Sequence, residues 1–441
     1  MGLFVIDDAL LSSAGLTRAH YLRATLEALN EQMGGALVVR HGEPASVVSD
    51  VVRETGARDV VATRDFGPAG RRRDERVAAA LRSVPANFSL VDSPYVVEPG
   101  SIRTKSGTPC RVFGAFQRGW FDLARPDPYD APRGASWVGL ATDPLEELTD
   151  AAATRAPSYF GDLAHLDPAL VAGAGEVLAR EQLEGFASRV ASYGDARDAP
   201  GVPGTSRLSA PLHFGALHPR TVLAATAPET IGDATFAREL CWREFYADVL
   251  FHRPDSAWRD LQPSLAHLRI DRDHRAIERF RAWALGQTGY PLVDAGMRQL
   301  LEEGWMHNRV RMVSASFLVK NLHLDWRWGA KWFLWRLVDA DLASNQHGWQ
   351  WVAGTGTDAA PFHRVFNPTR QAQRFDPEGV YVRRYVGELR DVAPPQCLEP
   401  GGGTGLLRVS RYCAPMVDAD AERVEALARF AEARRRAKVD P

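Results

Sequence analysis

Three short runs place chemistry-bearing side chains at helical spacing. Glu239, Trp242 and Arg243, in ELCWREFY, stand at i, i+3 and i+4, so one helix presents all three on one face. Asn308, Arg311 and Met312, in MHNRVRM, repeat that arithmetic, and Asp341 and Asn345, in DADLASNQ, do so on a third helix. Any one of these groups reads first as an exposed ion-pair face. However, ten of the twelve tryptophans fall between Glu239 and Trp351, interleaved with these groups and with Asp339. Burying charge costs free energy unless the charge is paired or meets a ligand. Flat aromatic walls beside ionisable edges therefore describe a deep pocket between helices for a flat, polar-edged, redox-active group.

Other runs extend this chemistry. In GTSRLSAPLHFG, Thr205, Ser206 and Ser209 stand at an expected helix entry, where hydroxyls and free backbone N–H groups suit a pyrophosphate; simple helix capping is the competing reading. Trp326 and Trp349 read either as core fillers or as stepping stones for one-electron transfer. Arg364, Arg370, Arg374, Arg383 and Arg384 cluster after the tryptophans, and Arg71, Arg72 and Arg73 form a separate run; solvated surface is the default for both.

The elements that must carry these residues follow from periodicity. Residues 1–125 alternate apolar runs (LFVID, GALVV, DVVAT, FSLVDS) with amphipathic segments, the βαβ rhythm of a doubly wound parallel sheet. No GxGxxG follows a strand, so a nicotinamide fingerprint is absent. Residues 126–185, rich in proline and alanine, read as an interdomain connector. From 186 to 441 the apolar spacing is helical, with NRVRMVSASFLVKNL and WGAKWFLWRLVDADLAS among the segments that carry it, so this part is expected to be an all-α domain.

Composition bounds the function. The 441 residues call for two or three domains, and a net charge of −2 argues against a general nucleic-acid coat while leaving room for a local basic face. No apolar run approaches a membrane span, and no leader opens the chain, so a cytoplasmic monomer is expected. Cys110, Cys241, Cys397 and Cys413 lie far apart without metal spacing, as reduced thiols would.

At these same residues the chain resembles the photolyase/cryptochrome family, specifically the class I cyclobutane pyrimidine dimer photolyases. ELCWREFY, GTSRLSAPLHFG, TGYPLVDAGMRQL, GWMHNRVRM, SASFLVKNL, DADLASNQHGWQW and FNPTRQAQRFD occur in the family's order. The resemblance implies an N-terminal α/β domain, a helical domain holding FAD, and blue-light-driven electron transfer from reduced FAD to a flipped-out dimer in UV-damaged DNA. It assigns FAD contacts to Tyr193, Thr205, Ser206, Leu208, Ser209, Phe236, Arg243, Asn308, Arg311, Asp339, Asp341 and Asn345, with Asn345 facing flavin N5 and Arg311 paired near Asp339. Glu239, Trp242, Asn308, Met312 and Trp351 would receive the dimer, with Glu239, if protonated, donating a hydrogen bond to a pyrimidine carbonyl. Arg197, Arg309, Arg364 and Arg374 would hold the DNA backbone. Trp258, Trp305, Trp328, Trp332 and Trp335 are left as core.

The departures carry information. The family opens with a βα unit before the strand that here is LFVID, so the sheet is expected to lack its first strand. The family's outer relay tryptophan is replaced by Asp273, ten residues before Trp283, which makes Trp349, Trp326 and Trp283 the expected electron chain with Trp283 outermost. Ala69 and Gly70 stand where folate-binding members carry Asn-Glu. This favours an 8-hydroxydeazaflavin antenna over methenyltetrahydrofolate, or no antenna at all. The alternative function is a cryptochrome-like FAD photosensor without repair.

Overall fold

The structure is a computed structural model that describes all residues except 12–13, 125, 130–133, 154–156, 172, 227–229, 266, 359–363, 401–410 and 440–441. The chain forms two compact units, one of Met1–Leu166, Leu170–Ala191 and Ser206–Asp255, the other of Asp167–Ala169, Ser192–Thr205 and Ser256–Pro441. These units depart from the expected cuts at 125 and 185.

The reason lies on one long helix of the first unit. Its strands are β1 (Gly2–Ile6), β2 (Leu37–His41), β3 (Asp59–Thr63) and β4 (Asn87–Val91), with helices α1 (Leu16–Gln32), α2 (Pro44–Thr55), α3 (Pro68–Leu81), α4 (Phe113–Asp122), α5 (Ser209–Phe214) and α6 (Ile231–His252). A Thr230–Asp233 capping box starts α6 by satisfying orphan N–H groups in both directions. Farther along, Glu244 is 2% exposed and accepts from the backbone N–H groups of Val96 and Val97 at 2.5 and 3.1 Å and from Trp120 Nε1 at 2.6 Å. One turn on, Asp248 accepts from Gly100 N at 2.7 Å. Two buried carboxylates thus tie α6 to the segment after β4 and to α4, which draws residues 206–255 away from the helical unit. A helix-only pattern carries no sign of such pairings.

The strands are parallel, as expected, but they form two separate pairs, β1 with β2 and β3 with β4. Each pair has its own apolar cluster. Ile6, Leu26, Leu37 and Val39 pack with Leu148 on one side, while Ala45, Val52, Val77 and Leu81 gather Val60 and Phe88 on the other. At the N-terminus of α3, a Cβ on Gly70 would stand 1.9 Å from Asp65 Oδ2, so Asp65 occupies the space a side chain there would need.

The second unit is helical throughout its described residues apart from connecting segments. Its helices include α7 (His274–Ala284), α8 (Pro291–Glu303), α9 (Asn308–Ser316), α10 (Trp326–Arg336), α11 (Leu342–Ala353), α12 (Pro368–Phe375) and α13 (Ala419–Val439). Two segments with helical periodicity are not single α-helices. NRVRMVSASFLVKNL runs as α9 and then as a π-helical turn over Phe317–Asn321. WGAKWFLWRLVDADLAS divides between α10 and α11, because Leu337 and Asp341 take extended backbone. Asp341 is the N-cap of α11, accepting from Ser344 N at 2.7 Å, so Asp341 and Asn345 span a helix start. No described helix is long and apolar enough to cross a membrane.

Candidate functional site

In the first unit, Glu239, Trp242 and Arg243 lie on α6 as their spacing required. Trp242 is half-buried, and one face of its indole is covered by Phe113 of α4, the rings stacked 3.6 Å apart at 7°. Only the opposite face is left for a ligand. Sequence reasoning missed Phe113, whose place in a short aromatic helix of the α/β region looks like plain core. The Arg243 guanidinium donates to the carbonyls of Pro94 at 3.2 Å and Leu212 at 3.4 Å and lies over Tyr95, so it is fixed in orientation before any ligand arrives. Glu239 is partly exposed, with Arg238 4.0 Å away. Phe236 is buried against Phe186.

The expected helix entry is real but short. Helix α5 begins with Leu208 as N-cap and has no side-chain hydrogen bond to its first N–H groups. Ser206 Oγ instead accepts from Leu208 N at 3.3 Å, and Arg207 takes a left-handed φ of 53°. The capping reading therefore fails for Ser209, which leaves its hydroxyl for another acceptor or donor.

In the second unit, the Arg311–Asp339 pair forms as the resemblance implied. Asp339 is 8% exposed and takes both carboxylate oxygens to Arg311 Nη2, at 3.1 and 2.9 Å, while Arg311 Nε donates to Met306 O at 2.7 Å. This pair holds the extended link between α10 and α11 that the periodicity concealed. Asn345 donates through Nδ2 to Ala330 O at 3.1 Å and Gln346 Oε1 at 2.8 Å, which fixes the orientation of its amide. Trp349 is 3% exposed, and its indole N–H has no partner among the described residues, an orphaned donor that a bound polar group would satisfy. A Cβ at Gly329 would stand 2.1 Å from Trp349 Cη2, so this glycine admits the indole against α10. Tyr193 is buried under the Arg197 guanidinium, 5.3 Å from its ring.

Several expected DNA and lesion contacts meet at one cavity of about 470 Å³, within the usual range for a small-molecule site. Met312, Trp351, Arg309, Arg364 and Arg374 line it, together with Asp198, Phe366, Gln371 and Phe375. Arg197 is not among the lining residues. Arg309 is paired with Asp198 at 2.7 Å and lies over Phe375, so part of its charge is spent within the protein. The lining phenylalanines and Asp198 had no helical-spacing signal. Asn308 begins α9 and is exposed.

The structure does not put Trp283 at the outer end that the expected electron chain assigned to it. Trp283 is 0% exposed, its Nε1 donates to Ser314 O at 3.0 Å, and its ring lies 6.1 Å from that of Trp349. It is an inner neighbour of Trp349 with no contact to solvent, which does not suit an outermost relay. Asp273 in turn caps α7, accepting from Ala276 N at 2.9 Å, which accounts for a carboxylate there. Trp326 is 4% exposed and donates to Asp260 Oδ1 at 2.8 Å. Of the tryptophans assigned to core, Trp332 and Trp335 are buried, but Trp258 is 42% exposed.

Comparison with known proteins sets these halves in context. A family model described as the FAD binding domain of DNA photolyase matches residues 236–432, and one described as DNA photolyase matches residues 1–133. The chain is 40% identical to the deoxyribodipyrimidine photo-lyase of Streptomyces griseus, over 98% of this chain and 92% of that protein. It is 38% identical to the protein of that name from Halobacterium salinarum, over 98% and 91%. Its fold is similar to a solved bacterial class III photolyase from Agrobacterium tumefaciens, with TM-score 0.88, 34% identity and coverage of 99% of this chain and 92% of that one.

Proposed function

The chain belongs to the DNA photolyase family, and from that premise we propose that it splits cyclobutane pyrimidine dimers in UV-damaged DNA. The observation that carries the reading is the single cavity lined by Met312 and Trp351 with three of the four arginines expected to meet DNA. The residues also fit FAD. The buried Asp339 carboxylate paired with Arg311, the fixed Asn345 amide and the Trp349 N–H without a partner among the described residues are polar features of the helical unit that a bound flavin nucleotide would complete. Tyr193, Thr205, Ser206, Leu208, Ser209, Phe236, Arg243, Asn308, Arg311, Asp339, Asp341 and Asn345 would hold it. FAD, when bound and reduced, supplies the light-driven one-electron chemistry.

The chain's own side chains do the rest. A base leaving the duplex loses its stacking, and an aromatic wall returns about 1–3 kcal/mol per base. Trp351 is such a wall in the cavity, and the free face of Trp242 is another aromatic face of that kind. Glu239, in its protonated form, would donate a hydrogen bond where charge develops on a pyrimidine carbonyl, a preorganised electrostatic contribution. Arg364 and Arg374 hold phosphates and so set position without reading sequence. Trp349 and Trp326 serve reduction of the flavin, with Trp283 as an interior neighbour. The protein acts as a cytoplasmic monomer, and an 8-hydroxydeazaflavin antenna is favoured over methenyltetrahydrofolate because Ala69 and Gly70 stand where folate-binding members carry Asn-Glu. The named relatives are photo-lyases, which favours repair over a cryptochrome-like photosensor.

Trp351→Ala tests the lesion wall. Its affinity for dimer-containing oligonucleotide, measured in the dark by fluorescence anisotropy, should fall about tenfold, while affinity for undamaged DNA stays near wild type. Equal loss on both DNAs would remove Trp351 from the lesion.

A further inference from the structure

We propose that Lys320 is a positioning residue for DNA binding, holding from beneath the backbone that presents Arg364 at the cavity; this rests on the reading of that cavity as the DNA site. The observations are independent of the motifs that assigned the cavity. Helix α9, which carries Arg309 and Met312, passes into the π-helical turn Phe317–Asn321, closed by Leu322 N donating to Phe317 O at 3.0 Å. Such turns are rare and are found disproportionately at functional sites. Lys320 projects from this turn with 1% exposure.

A fully buried ammonium is costly unless paired, and lysine is seldom found there. Among the described residues, Lys320 has no carboxylate partner. Its Nζ donates to the Arg364 carbonyl at 2.9 Å and lies 5.9 Å from the Phe430 ring of α13. Burial lowers its pKa to about 8, so it still carries its proton for the most part at neutral pH. The cost of burying this charge is thus spent on one neutral carbonyl, in a segment with no regular structure. That segment runs from Arg364 to Asn367, which caps α12 by accepting from Arg370 N at 3.1 Å. It delivers Arg364 and Phe366 directly to the cavity, and α12 delivers Arg374. A charged donor makes a stronger hydrogen bond than a neutral one. Fixing the Arg364 backbone this way reduces the ordering cost of seating its guanidinium on a phosphate.

The test uses FAD-loaded wild type, Lys320→Met, Arg364→Ala and the double variant. Dark binding to dimer-containing and undamaged oligonucleotides is measured by anisotropy, and repair per absorbed photon is measured at saturating DNA. Lys320→Met should weaken both DNAs by a similar factor, about five- to tenfold, because phosphate contacts are blind to sequence. FAD content and repair per photon of the bound complex should match wild type. In the Arg364→Ala background the same substitution should cost less than about twofold, since both act through one contact. A purely structural lysine would give additive losses in the double variant, and that result overturns the proposal, as does a Lys320→Met affinity within about twofold of wild type. Should Lys320→Met fail to retain FAD, Lys320→Gln, which keeps a neutral donor, is read by the same cycle. If wild type itself shows no preference for dimer-containing DNA, the reading of the cavity fails, and the proposal with it.

Discussion

An Arg311→Ala variant is expected to lose about 3–5 kcal/mol of stability, because it leaves the Asp339 carboxylate buried without its partner. The Asp339 side chain is 3% exposed and that of Arg311 25%, so water can reach the arginine but not the acid. The variant also frees Met306 O, which Arg311 Nε holds. Denaturant unfolding should show the loss, and flavin absorbance after gel filtration should show that FAD is retained poorly. Arg311→Met combined with Asp339→Asn should recover a substantial part of the stability, since neither charge is then stranded. A single Arg311→Ala that unfolds like wild type would mean that the pair contributes nothing to the helical unit.

The second large effect is expected far from the motifs. Glu244→Ala removes the common acceptor of Val96 N, Val97 N and Trp120 Nε1, all buried or nearly so. Orphaning several buried donors costs about 1–3 kcal/mol each, so a loss of about 3 kcal/mol or more is expected. Because α4 carries Phe113, the stack that backs Trp242 should loosen too. The lost stability would show in thermal unfolding, and the loosened stack as weaker discrimination of dimer-containing DNA.

The same residue predicts a pH dependence. Burial pushes the Glu244 carboxyl up from its usual 4.5, against the hydrogen bonds from Trp120 and Val96 that pull it down. The folded chain therefore keeps this proton to higher pH than the unfolded chain. Stability from this source is full below the unfolded value and is lost as pH rises through the folded one. Glu244→Gln should flatten that slope, and an unchanged slope would assign it to other groups.

The parts of the site that were legible in the sequence are those within reach of one helix. Glu239, Trp242 and Arg243 share α6, and Arg309 and Met312 share α9, because i, i+3 and i+4 spacing is a direct consequence of helical geometry. What the spacing hid were interruptions. Leu337–Asp341 continues an apolar helical pattern, yet the Arg311–Asp339 ion pair and the Asp341 cap hold it extended. SASFLVKN reads as ordinary helix, and nothing local marks the π turn that buries Lys320. Long-range pairings were hidden as well. Phe113 stacks on Trp242, and Glu244 binds the segment after β4, through contacts that no window of sequence contains. Asp273 departs from the family's tryptophan because it caps a helix, a role that its identity alone does not reveal. The parallel strands were legible from their apolar runs, whereas their division into two pairs follows from strand neighbours, which a single strand's pattern does not encode.

The central claim is that this cavity and its flavin repair DNA with light. The direct measurement is recovery of thymine absorbance when FAD-loaded, fully reduced protein is mixed with a thymine-dimer oligonucleotide and exposed to blue light. The account predicts recovery that depends on light and is absent with oxidised protein. Protein that holds reduced FAD and binds the dimer yet restores no thymine absorbance would contradict it.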